Sequence, residues 1–141
     1  MDIKTFNADY AVCSQISVTQ MQDIAARGFT TIICNRPDTE NAAGQQSADL
    51  RAKAAELGLQ FHYNPVIVGQ LSEDNITLQA SVLAETQGKT LAFCRTGMRS
   101  AIVWGLSRAG LDSADDILAT AARAGFGLDN LRPYLEQSAV A

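Results

Sequence analysis

The sequence predicts an α/β fold, with a central, mainly parallel sheet of about four to five strands and helices on both faces. Three observations predict it. Short runs rich in β-branched and aromatic residues alternate with amphipathic segments along the chain, the pattern of strand–helix–strand crossovers. Several amphipathic segments open on a serine and close on a glycine, the usual helix boundaries. No repeat, low-complexity tract or linker interrupts the alternation, so a single domain over 1–141 is expected.

Each element follows from local signals. Residues 10–16, "YAVCSQI", read as a short strand, and 17–28 as a helix capped by Ser17 and stopped by Gly28. "FTTIICN" (29–35) reads as a buried strand, followed by a polar loop over 36–45 broken by Pro37 and Gly44. A helix over 46–58 leads to a third strand over 59–68, bent at Pro65. A helix over 72–88 is expected to run from Ser72 to Gly88, and "KTLAF" (89–93) is the fourth strand. The strongly apolar stretch 100–110 predicts a central buried helix, and two helices over 113–125 and 128–137 complete the chain.

Composition narrows the function. A net charge of -4 excludes nucleic acid or an anionic membrane as the main partner, so a bound anion must be held by local positive groups. No run approaches the ~18 apolar residues of a bilayer span, and the N-terminus shows no apolar segment of signal-peptide length. Three cysteines, Cys13, Cys34 and Cys94, lie far apart without Cys-x-x-Cys spacing, and His62 is the only histidine. Neither a disulfide framework nor a metal centre is expected, and a cytoplasmic location is.

The stretch that carries chemistry is "TLAFCRTGMRSAIVWGLSRAG", residues 90–110. Cys94 falls where a strand gives way to a helix, at the carboxyl end of a parallel sheet, where sites form. Helix N-termini and neighbouring cations favour a thiolate over a thiol. Arg95 and Arg99 supply charge, and Gly97 lets successive amides from Arg95 through Thr96 and Met98 to Ser100 converge into an anion cradle. Ser100 is expected to donate a hydrogen bond to the sulfur. The bland alternative is a small buried cysteine at a strand end; the coincidence of strand, cysteine, glycine, two arginines, serine and helix favours function.

"FCRTGMRS" resembles the Cys-x-x-Gly-x-Arg loop of rhodanese-type sulfurtransferases. The rest of the chain resembles dual-specificity protein tyrosine phosphatases, through "TTIICNRPD" and through "QGKTLAFC" followed by "RSAIVWGL". Both traits occur together in the phosphatase-like domain of bacterial beta-lactamase hydrolase-like proteins, which the chain resembles over nearly its whole length. The resemblance implies a protein tyrosine phosphatase-like architecture, Cys94 as a nucleophile holding a phosphoryl or persulfide group, and Arg99 as the anion-binding arginine. It also implies a persulfide dioxygenase as a partner.

Three departures from the phosphatase pattern matter. The loop is one residue shorter between cysteine and arginine, the histidine that usually precedes the cysteine is Phe93, and "NPVIVGQLS" (64–72) contains no carboxylate to serve as general acid. Glu73 and Asp74 are the nearest candidates, though the first turn of a helix explains them better. A positioned acid contributes ~10²–10⁴-fold to a step that expels an alkoxide. Sulfur transfer expels sulfite or a thiolate and has less need of one. The expected reaction is transfer of a sulfane sulfur through a Cys94 persulfide, from a small anionic sulfur donor such as thiosulfate, or from a small persulfide, to a thiol or cyanide acceptor, without metal or organic cofactor. A cysteine-dependent phosphatase is the alternative, and a non-catalytic anion- or partner-binding module a third reading.

Other residues are weighed beside these. Arg36 either reaches the pocket or pairs with Asp38 or Glu40. Cys34 either resolves a disulfide with Cys94 or fills the core, and Cys13 has less to recommend it. His62 alternates with Phe61 and Tyr63 and reads as strand packing, Met98 as an apolar lip of the pocket or a solvent-facing residue, and Trp104 as core.

Overall fold

The computed structural model describes residues 1–137. Its sheet comprises β1 (Lys4–Thr5), β2 (Tyr10–Cys13), β3 (Phe29–Cys34), β4 (Gln60–Tyr63) and β5 (Lys89–Phe93), in the order β1-β2-β5-β3-β4. Only β1 is antiparallel; the other pairs are parallel. The helices are α1 (Met21–Ala26), α2 (Ser47–Leu57), α3 (Glu73–Glu85), α4 (Met98–Ser107), α5 (Ala114–Arg123) and α6 (Arg132–Gln137). The expected α/β class and strand number stand.

Strand alternation sorts the core into two layers. Ala11, Cys13, Ile32, Cys34, Leu91 and Phe93 pack with Met21, Ile24, Leu50 and Ala54 of α1 and α2. Tyr10, Val12, Ile33 and Ala92 pack on the other face with Val82, Ala101, Trp104, Ile117 and Leu135 of α3 to α6. Burying both faces explains why β5, the central strand, is buried throughout after Lys89 and apolar from Leu91 to Phe93. In register, Cys13 and Cys34 each pair with Phe93, so three strand ends stop side by side immediately before Cys94.

Boundaries differ from expectation where tertiary hydrogen bonds override local pattern. The third strand stops at Tyr63, because Pro65 has no amide to continue the ladder and Val66 turns to donate to Asn35 O at 2.9 Å. That frees 64–71 to form a wall over the sheet end. The third predicted helix, 72–88, ends at Glu85: Thr86 takes extended backbone angles and its hydroxyl bonds Val82 O at 2.6 Å, so Gly88 lies beyond the helix. The stretch 17–28 is a 3-10 turn, Val18–Gln20, and then α1; Ser17 caps the turn. The first strand ends at Cys13, three residues short of the expected 16. Residues 128–137 divide likewise into a 3-10 turn, Asp129–Leu131, and α6. The two-residue β1 was too short for any sequence period to reveal.

Candidate active site

The loop from Cys94 to Gly97 bridges β5 and α4. Gly97 sits at φ 99°, a left-handed conformation that glycine adopts without a Cβ penalty, and its amide donates to Cys94 Sγ at 3.1 Å. A Cβ at Gly97 would stand 3.1 Å from Phe126 Cζ. The helix begins at Met98, two residues earlier than expected, with Gly97 as its N-cap. The amides and positive dipole end of α4 therefore lie beside the sulfur. Cys94 is fully buried, and its loop rather than its own surface lines the adjoining cavity.

That cavity has a volume of about 1000 Å³. Of the sequence candidates, Arg36, Arg95, Thr96, Met98 and Arg99 line it, and Val66, Ile67, Val68, Leu71 and Ile102 form an apolar wall. Glu40 joins them, a residue the sequence suggested only as a partner for Arg36. It does pair with Arg36, at 3.2 Å, but its main partner is Arg99, whose two terminal nitrogens donate to Glu40 Oε2 and Oε1 at 2.9 and 2.7 Å. Arg99 also donates to Val66 O at 2.8 Å. The Arg99 hydrogen bonds hold the Glu40 carboxyl below its ordinary range. Glu40 in turn raises Arg99 above its ordinary value, with the charge of Cys94 adding to the effect.

Ser100 is placed otherwise than expected. It is buried, and its hydroxyl donates to Asn35 Oδ1 at 2.8 Å instead of to the sulfur. It belongs to a closed polar ring under the loop. Asn35 Nδ2 donates to Gln79 Oε1 at 3.1 Å, Gln79 Nε2 to Tyr10 Oη at 3.0 Å, and Tyr10 Oη to Ser100 O at 3.0 Å. Asn64 Nδ2 joins through Gln79 Oε1 at 3.0 Å. Satisfied buried networks of this kind fix geometry, and this one pins the first turn of α4 to β2, β3 and α3. One signal for it was readable: Gln79 stands three residues from both Ile76 and Val82, on the buried stripe of α3.

The remaining candidates fall outside the pocket. Glu73 and Asp74 are exposed in the first turn of α3 and do not line the cavity. Cys13 and Cys34 are buried in the layer under α1 and α2, and burial pushes both thiols up to about 12. His62 is half-buried on β4, and desolvation lowers its pKa. Trp104 is core, stacked near Tyr10 with ring centroids 6.0 Å apart.

A parallel sheet whose central strand feeds a cysteine loop and then a buried helix defines the protein tyrosine phosphatase-like class. A crystal structure of kinase associated phosphatase, with its catalytic-site cysteine replaced by serine, superposes at a TM-score of 0.70 with 14% identity, covering 91% of this chain and 84% of that one. The chain belongs to the family described as beta-lactamase hydrolase-like protein, phosphatase-like domain, whose model matches residues 2–111. It is 29% identical over 142 residues to a beta-lactamase hydrolase-like protein of Xylella fastidiosa strain 9a5c, covering 99% of this chain and 33% of the relative. A candidate phosphatase from Neisseria meningitidis Z2491 matches at a TM-score of 0.81 and 29% identity, covering 98% of this chain and 99% of that one. The chain thus spans about a third of the length of the curated relatives it matches. Among the described residues no helix is long and apolar enough to cross a membrane.

Proposed function

We propose that this chain is a cysteine-dependent sulfurtransferase that carries a sulfane sulfur as a Cys94 persulfide. One observation carries the reading: among the described residues the single carboxylate lining the pocket, Glu40, is bound to two arginines that favour its charged form, so no proton donor stands ready for an alkoxide leaving group. Sulfur transfer needs none. Cys94 thiolate attacks the outer sulfur of the donor, a new S–S bond forms, and the old one breaks with its electron pair leaving on sulfite or on a thiolate. An acceptor thiolate then attacks the bound sulfur and regenerates Cys94 thiolate.

Arg99, Arg95 and the loop amides hold the donor, and Thr96, Met98 and Arg36 shape its approach. The 1–141 unit acts as one domain, in the cytoplasm, and a persulfide dioxygenase is its natural partner. The family description and the phosphatase neighbours favour a second reading, hydrolysis of phosphate monoesters through a phosphocysteine.

Intact mass separates the two. Reduced protein incubated with thiosulfate or an organic hydropersulfide should gain one sulfur, lost again on adding cyanide or a thiol, while Cys94→Ser gains none. No added sulfur, together with phosphate release from an aryl phosphate by the same sample, would replace sulfur transfer by phosphatase chemistry.

A further inference from the structure

The cavity is far larger than an inorganic anion requires, and its chemistry is mixed. Three large apolar side chains that gather at it, Ile67, Val68 and Met98, are 51%, 73% and 39% exposed, in a protein that otherwise buries most of its apolar residues. Val66, Leu71 and Ile102 extend the same wall. Opposite them, the positive charge is largely spoken for. Glu40 binds Arg99 through both carboxylate oxygens and Arg36 through one, and its backbone carbonyl takes a further bond from Arg36 at 3.1 Å. Arg36 also donates to Gln15 Oε1 at 3.2 Å. Of the three lining arginines only Arg95 has no carboxylate partner among the described residues.

Cys94 has no exposed surface, so a donor reaches its sulfur only by moving the loop residues and side chains above it. A group that takes up Arg99 there displaces, or lies against, the Glu40 carboxylate. A dianion such as thiosulfate or a phosphate monoester is repelled where it lies against that carboxylate, and must break the Arg99–Glu40 pair where it displaces it. A sulfur head that is neutral or at most singly charged lessens the repulsion and lets the apolar wall supply the attraction.

Resting on the sulfur-transfer reading, we propose that Glu40 is the specificity-determining residue of this pocket, excluding doubly charged donors and, with the apolar wall, selecting organic hydropersulfides, R–S–SH, with an apolar R group. In the step itself Cys94 thiolate attacks the terminal sulfur of R–S–SH. The Cys94–S bond forms, the donor S–S bond breaks, R–S⁻ leaves with the electron pair, and the proton stays on the transferred sulfur. Charges balance, and no oxidant or general acid is required.

Two measurements on the full chain test this. In the first, sulfur loading of Cys94 is timed by mass with benzyl hydropersulfide and with thiosulfate. The wild type should load at least about tenfold faster from the hydropersulfide, and Glu40→Gln should narrow that gap about tenfold, the scale of one short like-charge contact. In the second, Cys94 alkylation is mapped by peptide mass with iodoacetate and with iodoacetamide. Glu40→Gln should accelerate the anionic reagent about tenfold relative to the neutral one, and Glu40→Asp, which keeps the charge, should leave the ratio near that of wild type.

Equal effects of Glu40→Gln on both alkylating reagents would reduce Glu40 to a positioning residue for Arg99 and overturn the proposal. So would wild-type loading from thiosulfate that matches the hydropersulfide, although sulfur transfer itself would then stand. Loading from neither donor would overturn the sulfur-transfer reading and the substrate assignment with it, even where the alkylation ratio shifted.

Discussion

Cys13 and Cys34 end the strands on either side of Phe93, and Cys94 follows it, so three cysteines crowd one edge of the sheet. All are buried, yet their hydrogen bonds run in opposite directions. Cys34 Sγ donates to Arg36 O at 3.3 Å, a contact that needs the proton on sulfur. Cys94 Sγ accepts from the Gly97 amide at 3.1 Å, a contact that suits a charged sulfur. Burial first, with the charge of Cys94 adding to it, pushes the Cys13 and Cys34 thiols up to about 12. Burial alone therefore makes an inert thiol, and a turn that aims amides at the sulfur makes a candidate nucleophile.

Serine substitutions probe that contrast most strongly. Cys94→Ser should abolish persulfide formation, whereas Cys13→Ser and Cys34→Ser should load sulfur within about twofold of wild type while losing ~1–2 kcal/mol of stability from placing a hydroxyl in an apolar layer. Mass after donor treatment and urea midpoints report the two effects. Equal loss of loading in Cys34→Ser would break the contrast and point to a two-cysteine redox cycle.

Gly97→Ala attacks the backbone that distinguishes Cys94. The new methyl faces a positive φ and a Phe126 ring atom 3.1 Å away, so the amide that bonds the sulfur must shift. Sulfur loading should fall by about tenfold or more, with roughly 1–2 kcal/mol of stability lost to the left-handed conformation. Iodoacetamide reactivity of Cys94 at neutral pH should fall with it. An unchanged rate would mean that the helix end, not the Gly97 amide, activates the sulfur.

Much of this site was legible because its signals are local. Strand, cysteine, glycine and apolar helix follow one another within 90–110, and the serine caps of the 3-10 turn and α3 bond where the sequence places them. The start of α4 was misread by two residues because its N-cap is Gly97, which offers no side-chain signal. The Arg99 pairing of Glu40 was missed, and the partner of Ser100 misjudged, for another reason. Their partners, Arg99 and Asn35, lie 59 and 65 residues away, and no spacing rule links them. Similarly, residues 64–68 of the pocket wall looked like strand because the amide that Pro65 lacks matters only once Asn35 stands beside it.

Alkaline pH gives the gentlest test of the same contrast. Cys13 and Cys34 titrate near 9.0 in the unfolded chain but at about 12 when folded. A raised folded value means stability that is fully present below pH 9.0 and lost as pH climbs toward 12, because the unfolded chain releases protons that the folded one keeps. Each thiol can contribute a slope of up to about 1.4 kcal/mol per pH unit there. Tyr10, also raised by burial, acts in the same sense, so the informative quantity is a difference between variants. From pH ~8 to ~10.5, the urea midpoint of wild type should fall more steeply than that of Cys13→Ala/Cys34→Ala. Parallel curves would show that the two flanking thiols ionise as freely folded as unfolded, and the distinction between them and Cys94 would then rest on hydrogen-bond geometry alone.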